Sequence, residues 1–346
     1  LVPSSSHYLT MPGRIVYWYR IILLNATLVT CCGCHAALVR AQDQPNELVI
    51  RYQRVAGQLE VRAGDELFCR FVTSKTKKPF VFPLQAPGNV SITRHYPMRA
   101  DVDGEAHDHP HHKSFWIAHG NVNGFDFWSE KQPIVNRVLQ ATATGIVWEN
   151  EWRVGDRALL EEQTHFQFRA FPEYRWIDAT VQLTPAAGSD PVVMGDTKEG
   201  FFAVRTHPAL RLVGVRGNAD AATGTAINSR GQSGPEIWGQ KAAWVYYRGT
   251  IDGVEYGLAI FDHPDNLRHP TTWHARDYGL IAANPFGLHH FLSKPKGQGE
   301  ITLTKDETLR LKYRLLITRG IWTADLLQKQ FKSFAETQQS IPNSND

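Results

Sequence analysis

Residues 244–261, "WVYYRGTI-DG-VEYGLAIF", decide the fold class. Two eight-residue runs of aromatic and aliphatic residues flank Asp252-Gly253, a dipeptide suited to a tight two-residue turn. The pattern predicts an antiparallel hairpin of two half-buried strands. Comparable runs recur along the chain, among them "ELFCRFVT" (66–73), "GIVWENEW" (145–152), "RWIDATVQLT" (175–184) and "TLRLKYRLLI" (308–317). Nineteen prolines and 27 glycines supply the turns between them. One helix is expected at the C-terminus. After Thr323 as cap, "ADLLQKQFKSFAET" (324–337) places Leu327, Phe331 and Phe334 on one stripe. The expected fold is all-β and mainly antiparallel, a large β-sandwich with a C-terminal helix.

The formal charge of +3 resides entirely at the N-terminus, where Arg14, Arg20 and Arg40 face no acid in residues 1–41. The rest of the chain is neutral, which argues against a nucleic-acid partner. "MPGRIVYWYR" (11–20), the apolar run at 21–39 and "VRA" (39–41) read as an export signal. Residues 1–41 are therefore expected to be an N-terminal extension and signal peptide. Residues 42–346 are expected to form a single β-sandwich domain, periplasmic or extracellular. A retained membrane anchor or a lipid at the N-terminal cysteines is the alternative. No apolar run of spanning length follows residue 41, so no membrane span is expected there. Cys69, in "ELFCRFV", reads as a small buried hydrophobe.

Three segments carry the chemistry. "HDHPHHKSFWIAHG" (107–120) holds five of the fifteen histidines. Pro110 marks its first half as a loop. In "SFWIAHG", Phe115, Ile117 and His119 share one strand face and Trp116 takes the other. His119 would join the loop histidines if the strand turns beside them. His109, His112 and His119 are candidate acid/base groups, and His109, His111 and His112 candidate ligands for a divalent metal. The bland alternative is a solvated polar loop.

"DHPDNLRHPTTWHARDYGLIAANPFG" (262–287) repeats this chemistry. His263, His269 and His274 are its candidate acid/base groups. Asn266, Trp273 and Arg276 are candidate ligand-binding residues, suited to a sugar ring or a carboxylate. "GDTKEGFFAVRTHP" (195–208) adds Lys198, Glu199 and Arg205 to the binding set, with Phe201, Ala203 and Arg205 on one strand face. A surface ion pair is the plain reading of Lys198 and Glu199. Glu161 and Glu162, in "EEQTHFQF", are expected on a solvent face. The small-residue stretch 218–234 reads as a long loop at the rim of a site.

The blocks "DHPHHKSFWIAHGNVNGFDFW", "DTKEGFFAVR" and "DHPDNLRHPTTWHARDYGLIAANPFG" resemble the signature blocks of the methane oxygenase PmoA-like family, a bacterial family without an assigned activity. The resemblance extends over roughly residues 46–335. It implies a galactose-mutarotase-like supersandwich and an association with carbohydrate chemistry, and it assigns no catalytic residue. A membrane-bound methane oxygenase role does not suit a chain without an internal spanning run.

Three functions stay open at this stage. One is an exported sugar-modifying enzyme of epimerase, lyase or hydrolase type, using a histidine-rich acid/base or metal site on a small carbohydrate. The second is a metal-dependent oxidase or oxygenase. The third is a non-catalytic sugar-binding module. The first requires the two histidine-rich segments to meet in one pocket.

Overall fold

In the computed structural model of the chain, which describes residues 46–99, 101–102, 105–213 and 222–337, Asp252 and Gly253 have φ values of 49° and 79°. Two left-handed residues in succession make the type I′ turn that matches strand twist. The flanking strands Trp244–Ile251 and Val254–Asp262 pair in register from Ile251–Val254 to Trp244–Phe261. The expected export segment lies outside the described residues.

Among the described residues, this hairpin belongs to an eight-stranded sheet. Its spatial order is Thr225–Asn228, Trp244–Ile251, Val254–Asp262, Leu309–Arg319, Tyr174–Pro185, Arg157–Ala170, Gly145–Val154 and Ile134–Thr142. A second sheet runs Ile50–Val55, Gln58–Ala63, Glu66–Val72, Phe80–Ala86, Phe115–His119, Gly200–Arg205, Leu280–Asn284 and Thr272–Ala275, with Val90–Ser91 paired off its path as a ninth strand. The sheets stack face to face. Phe71 meets Trp148 and Phe166 at 5.7 and 5.3 Å, and Phe202 stacks on Tyr313 at 4.7 Å across the interface. This is the large antiparallel sandwich expected from the sequence. Cys69 is buried in that core.

The hairpin strands are buried on both faces rather than one. Val245, Tyr247, Leu258 and Ile260 enter the main core. Trp244, Tyr246, Ala259 and Phe261 enter a second core beneath the C-terminal helix Ala324–Ala335. That helix is capped as its sequence predicts, with Leu326 N donating to Thr323 Oγ1 at 3.3 Å. Leu327 and Phe334 are fully buried under it. Beneath Phe334 sits a buried ion pair: Arg314 donates twice to Asp178, at 2.6 and 2.7 Å. The Arg314 guanidinium lies between the rings of Trp176 and Phe334.

Glu162 corrects the expectation of a solvent face. Neighbouring strand residues point to opposite faces, so Glu161 and Glu162 cannot share an environment. Glu162 turns inward, where its carboxylate accepts hydrogen bonds from Trp148 Nε1 at 2.7 Å, Trp152 Nε1 at 2.9 Å and Thr164 Oγ1 at 2.8 Å. Burial pushes its pKa up, against the pull of these donors. Replacing Glu162 with Ala strands two buried indole N–H groups, so the Glu162→Ala variant is expected to lose about 2–4 kcal/mol of stability. Glu162→Gln, which keeps one acceptor, should lose clearly less. Urea denaturation measures both, and equal losses would show that the hydrogen bonds are not the cause.

Candidate functional site

One cross-strand row organises the site. Trp116 pairs with Ala203, Ala203 with Ala282, and Ala282 with His274. Directly paired residues point to the same face, here the outer face of the nine-stranded sheet. Arg205, two residues beyond Ala203, shares that face.

The histidine loop is pinned onto this face by buried charge. Arg205 is buried, and its Nη2 donates to both oxygens of Asp108 at 2.9 and 3.2 Å. Its Nη1 donates to His112 Nδ1 at 3.3 Å. Arg94 donates to the same carboxylate at 2.6 Å and to the carbonyls of Asp108 and His109, both at 2.7 Å. From below, the buried ammonium of Lys78 donates to the carbonyls of His111 and Trp128 at 2.6 and 2.9 Å. Near-parallel rings then stack outward from the sheet. His112 lies on Trp116 at 5.2 Å, His109 on His112 at 4.7 Å, and Tyr278 on His109 at 5.2 Å. The Arg205 guanidinium sits 4.4 Å from the Tyr278 ring centre.

These elements enclose a cleft of about 490 Å³ lined by His109, His111, His112, Asp126, Trp128, Ser129, Lys198, Glu199, His274, Arg276 and Tyr278. His109, His112, His274, Lys198, Glu199 and Arg276 thus come together from three segments far apart in sequence. Arg205 lies beneath and holds the loop instead of lining the cleft. Asp126, which stood out beside the histidine run, also lines the cleft, while Tyr278, Trp128 and Ser129 are lining residues that sequence reasoning did not single out. Each lies inside or next to a quoted block, but no spacing rule distinguished it from its neighbours.

Electrostatics set the histidines apart from free imidazole. Burial, with the charges of Arg276 and Lys198, lowers the His274 pKa to about 3. His274 Nδ1 donates to the Lys198 carbonyl at 3.0 Å, so the neutral ring carries its lone pair on Nε2. Burial, and then the Arg205 charge, takes His112 well below its ordinary value. Burial and Lys78 lower His111 to about 4. Glu199 moves the other way: desolvation raises its pKa despite the nearby Lys198. Its Oε2 lies 3.9 Å from His274 Nδ1. Asp108 is desolvated too, but hydrogen bonding from His109 and the two arginines holds it ionised, far below the usual range.

Other candidates lie elsewhere, for local reasons. His119 points into the interior because strand alternation sets it opposite Trp116. It is fully buried, donates from Nε2 to the Gly195 carbonyl at 2.9 Å and packs on Phe286. Trp273 is inward for the same reason, being adjacent to His274. Its ring is fully buried and Nε1 donates to the Ala242 carbonyl at 2.9 Å. Asn266 and His269 serve Asp262: Asn266 Nδ2 and His269 Nδ1 each donate to its carboxylate at 2.8 Å. His263 and His269 face Phe334 and Phe331 of the C-terminal helix. The run at 262–271 is thus a turn built around the buried Asp262, and only the part from His274 onward reaches the cleft.

The expected metal ligands His109, His111 and His112 do not form a ligand set. The His109 and His112 rings lie parallel to within 11°, so their nitrogens do not converge. His112 Nδ1 already faces a guanidinium. Among the described residues, no group of three or more His, Cys, Asp or Glu side chains is placed to hold a metal ion. No helix among them is long and apolar enough to cross a membrane.

No curated protein matches the chain in sequence. Among solved structures, an alpha-galactosidase from Lactobacillus brevis matches at 11% identity and a TM-score of 0.42, covering 83% of this chain and 41% of that one. A Glycoside Hydrolase Family 97 enzyme from Pseudoalteromonas sp. strain K8 matches at 12% identity and a TM-score of 0.31, covering 79% and 34%. The chain spans less than half the length of either structure. The three sequence blocks do not place the chain in the methane oxygenase PmoA-like family that they resemble. The family model that matches is a different one, and its match over residues 58–332 contains all three blocks. The chain belongs to DUF6807, a family of unknown function.

Proposed function

We propose that the cleft is an acid/base site for a small carbohydrate, with Glu199 giving a proton and His274 taking one. The observation that carries this reading is the pairing of two groups at one cavity with their proton affinities shifted in opposite directions: a carboxyl held toward its acid form and an imidazole held neutral. His274 offers Nε2 because Nδ1 is committed to the Lys198 carbonyl. Epimerisation, elimination and hydrolysis of sugars all need a proton removed at one atom and delivered at another. Lys198, Ser129 and Arg276 supply hydrogen-bond donors, while Trp128 and Tyr278 supply ring surface. A few polar groups converging beside aromatic faces suit a polyhydroxylated ligand. His109, bonded through Nδ1 to Asp108 at 2.7 Å, is a second imidazole with its Nε2 open.

The test is conversion, or exchange of ring protons, in a panel of mono- and disaccharides incubated with the protein in D2O and followed by NMR. His274→Asn and Glu199→Gln are each expected to slow the active substrate on the order of 100-fold with unfolding temperatures near wild type. Variants as active as wild type would remove both residues from the chemistry.

The pH dependence follows from the same two groups. The base works only when neutral, so activity is lost as pH falls through the His274 value of about 3. The acid works only when protonated, so activity is also lost as pH rises through the raised Glu199 pKa. Imidazole NMR resonances should show His274 still neutral at pH 5. A midpoint near that of free histidine would contradict the assignment.

A further inference from the structure

A second cavity of about 330 Å³ adjoins the cleft, lined by Pro235, Trp238, Ala275, Arg276 and Asp277. Arg276 lines both spaces, so its side chain stands at their junction. The stretch expected to be a long loop at the rim contains instead the strand Thr225–Asn228, and the turn that follows it supplies the other wall. A short 3-10 turn, Gly234–Ile237, delivers Trp238 half-buried at the cavity. Its ring meets Phe291 edge-on at 5.5 Å, and Phe291 in turn packs 6.1 Å from the His274 ring. One phenylalanine therefore separates the indole from the catalytic imidazole.

The loop is sewn to the edge strand Thr272–Ala275. Gly239 N donates to the Trp273 carbonyl at 2.8 Å, Ala242 N donates to the Thr271 carbonyl at 3.1 Å, and Lys241 bridges to Thr272. Gly239 has φ 74°, and a Cβ there would lie 3.2 Å from the Phe291 carbonyl oxygen. Glycine is what permits both the turn and the close approach. Trp238 is consequently a pre-positioned surface, and a ligand meeting it loses little in ordering the protein.

We propose that the ligand is a saccharide of two or more units, with one ring in the catalytic cleft and the next in the adjoining cavity against Trp238, Arg276 bonding across the junction. This rests on the carbohydrate reading of the cleft and goes beyond it in setting chain length. An aromatic face beside an arginine fork offers the next ring both its apolar side and its hydroxyls a partner.

The experiment is calorimetric titration of wild type, Trp238→Ala and Arg276→Gln with mono-, di- and trisaccharides of glucose, galactose and glucuronate. Wild type should bind the favoured disaccharide about tenfold more tightly than its monosaccharide. That ratio should fall to near one in Trp238→Ala and partly in Arg276→Gln, which keeps the indole. Thermal unfolding checks that both variants fold, and Arg276→Gln alone carries the test if Trp238→Ala does not. Wild-type binding of monosaccharides with no gain on lengthening would overturn this inference and leave the cleft reading standing. A length advantage that survives in the folded variants would also overturn it. Binding of no saccharide of any length would overturn both.

Discussion

A buried positive charge at Arg205 is the constraint from which the site follows. A guanidinium on a sheet face, covered from solvent, must be paired or the fold suffers. Its partner, Asp108, comes from the histidine loop and ties that loop to the face. Arg94 completes the carboxylate's coordination and binds two loop carbonyls as well. The loop cannot leave without stranding two arginines. Everything above it inherits that order: His112 is fixed by Arg205, His109 by Asp108, and the rings stack because their backbone has been placed. The cleft is shaped by ion pairing beneath it more than by packing around it.

Local features of the chain were legible because their causes are local. The Asp252-Gly253 turn, the Thr323 cap and the Leu327–Phe334 stripe each depend on a few consecutive residues. Strand alternation also read correctly at Ala203 and Arg205. The same rule, applied to His119, placed it opposite Trp116, yet that histidine was still counted with the loop. The structure shows which consideration wins: a side chain on the inner face stays inside whatever its chemistry. Trp273 and Glu162 repeat the lesson. A tryptophan beside a candidate histidine looked like a sugar platform, and a glutamate beside another glutamate looked solvated, but each is assigned by parity along its strand.

The convergence of 107–112, 198–199 and 274–278 was a requirement that the sequence could pose and not answer. It depends on spatial strand order, in which Phe115–His119 and Thr272–Ala275 sit at the ends of a four-strand row with Gly200–Arg205 and Leu280–Asn284 between them. Nothing in residue spacing states that order. The second histidine-rich block shows the opposite failure. It looked like one functional unit, but its first half is a turn built on Asp262 and only its second half faces the cleft. Composition detects where polar groups concentrate. It does not distinguish those that satisfy one another from those left open to a ligand.

The C-terminal helix has a consequence for how such a chain can change over time. By roofing the outer face of the eight-stranded sheet, it confines one set of packing demands to Trp176, Trp244, Phe261 and their neighbours. The outer face of the other sheet is roofed by the loop that carries His109, His111 and His112. Substitutions in the two roofs share few partners, so their energetic effects should combine almost independently. A lineage could then vary the ligand by editing one roof while drift in the other is judged only on whether the protein stays folded. The sandwich between them is the part that neither kind of change can easily touch.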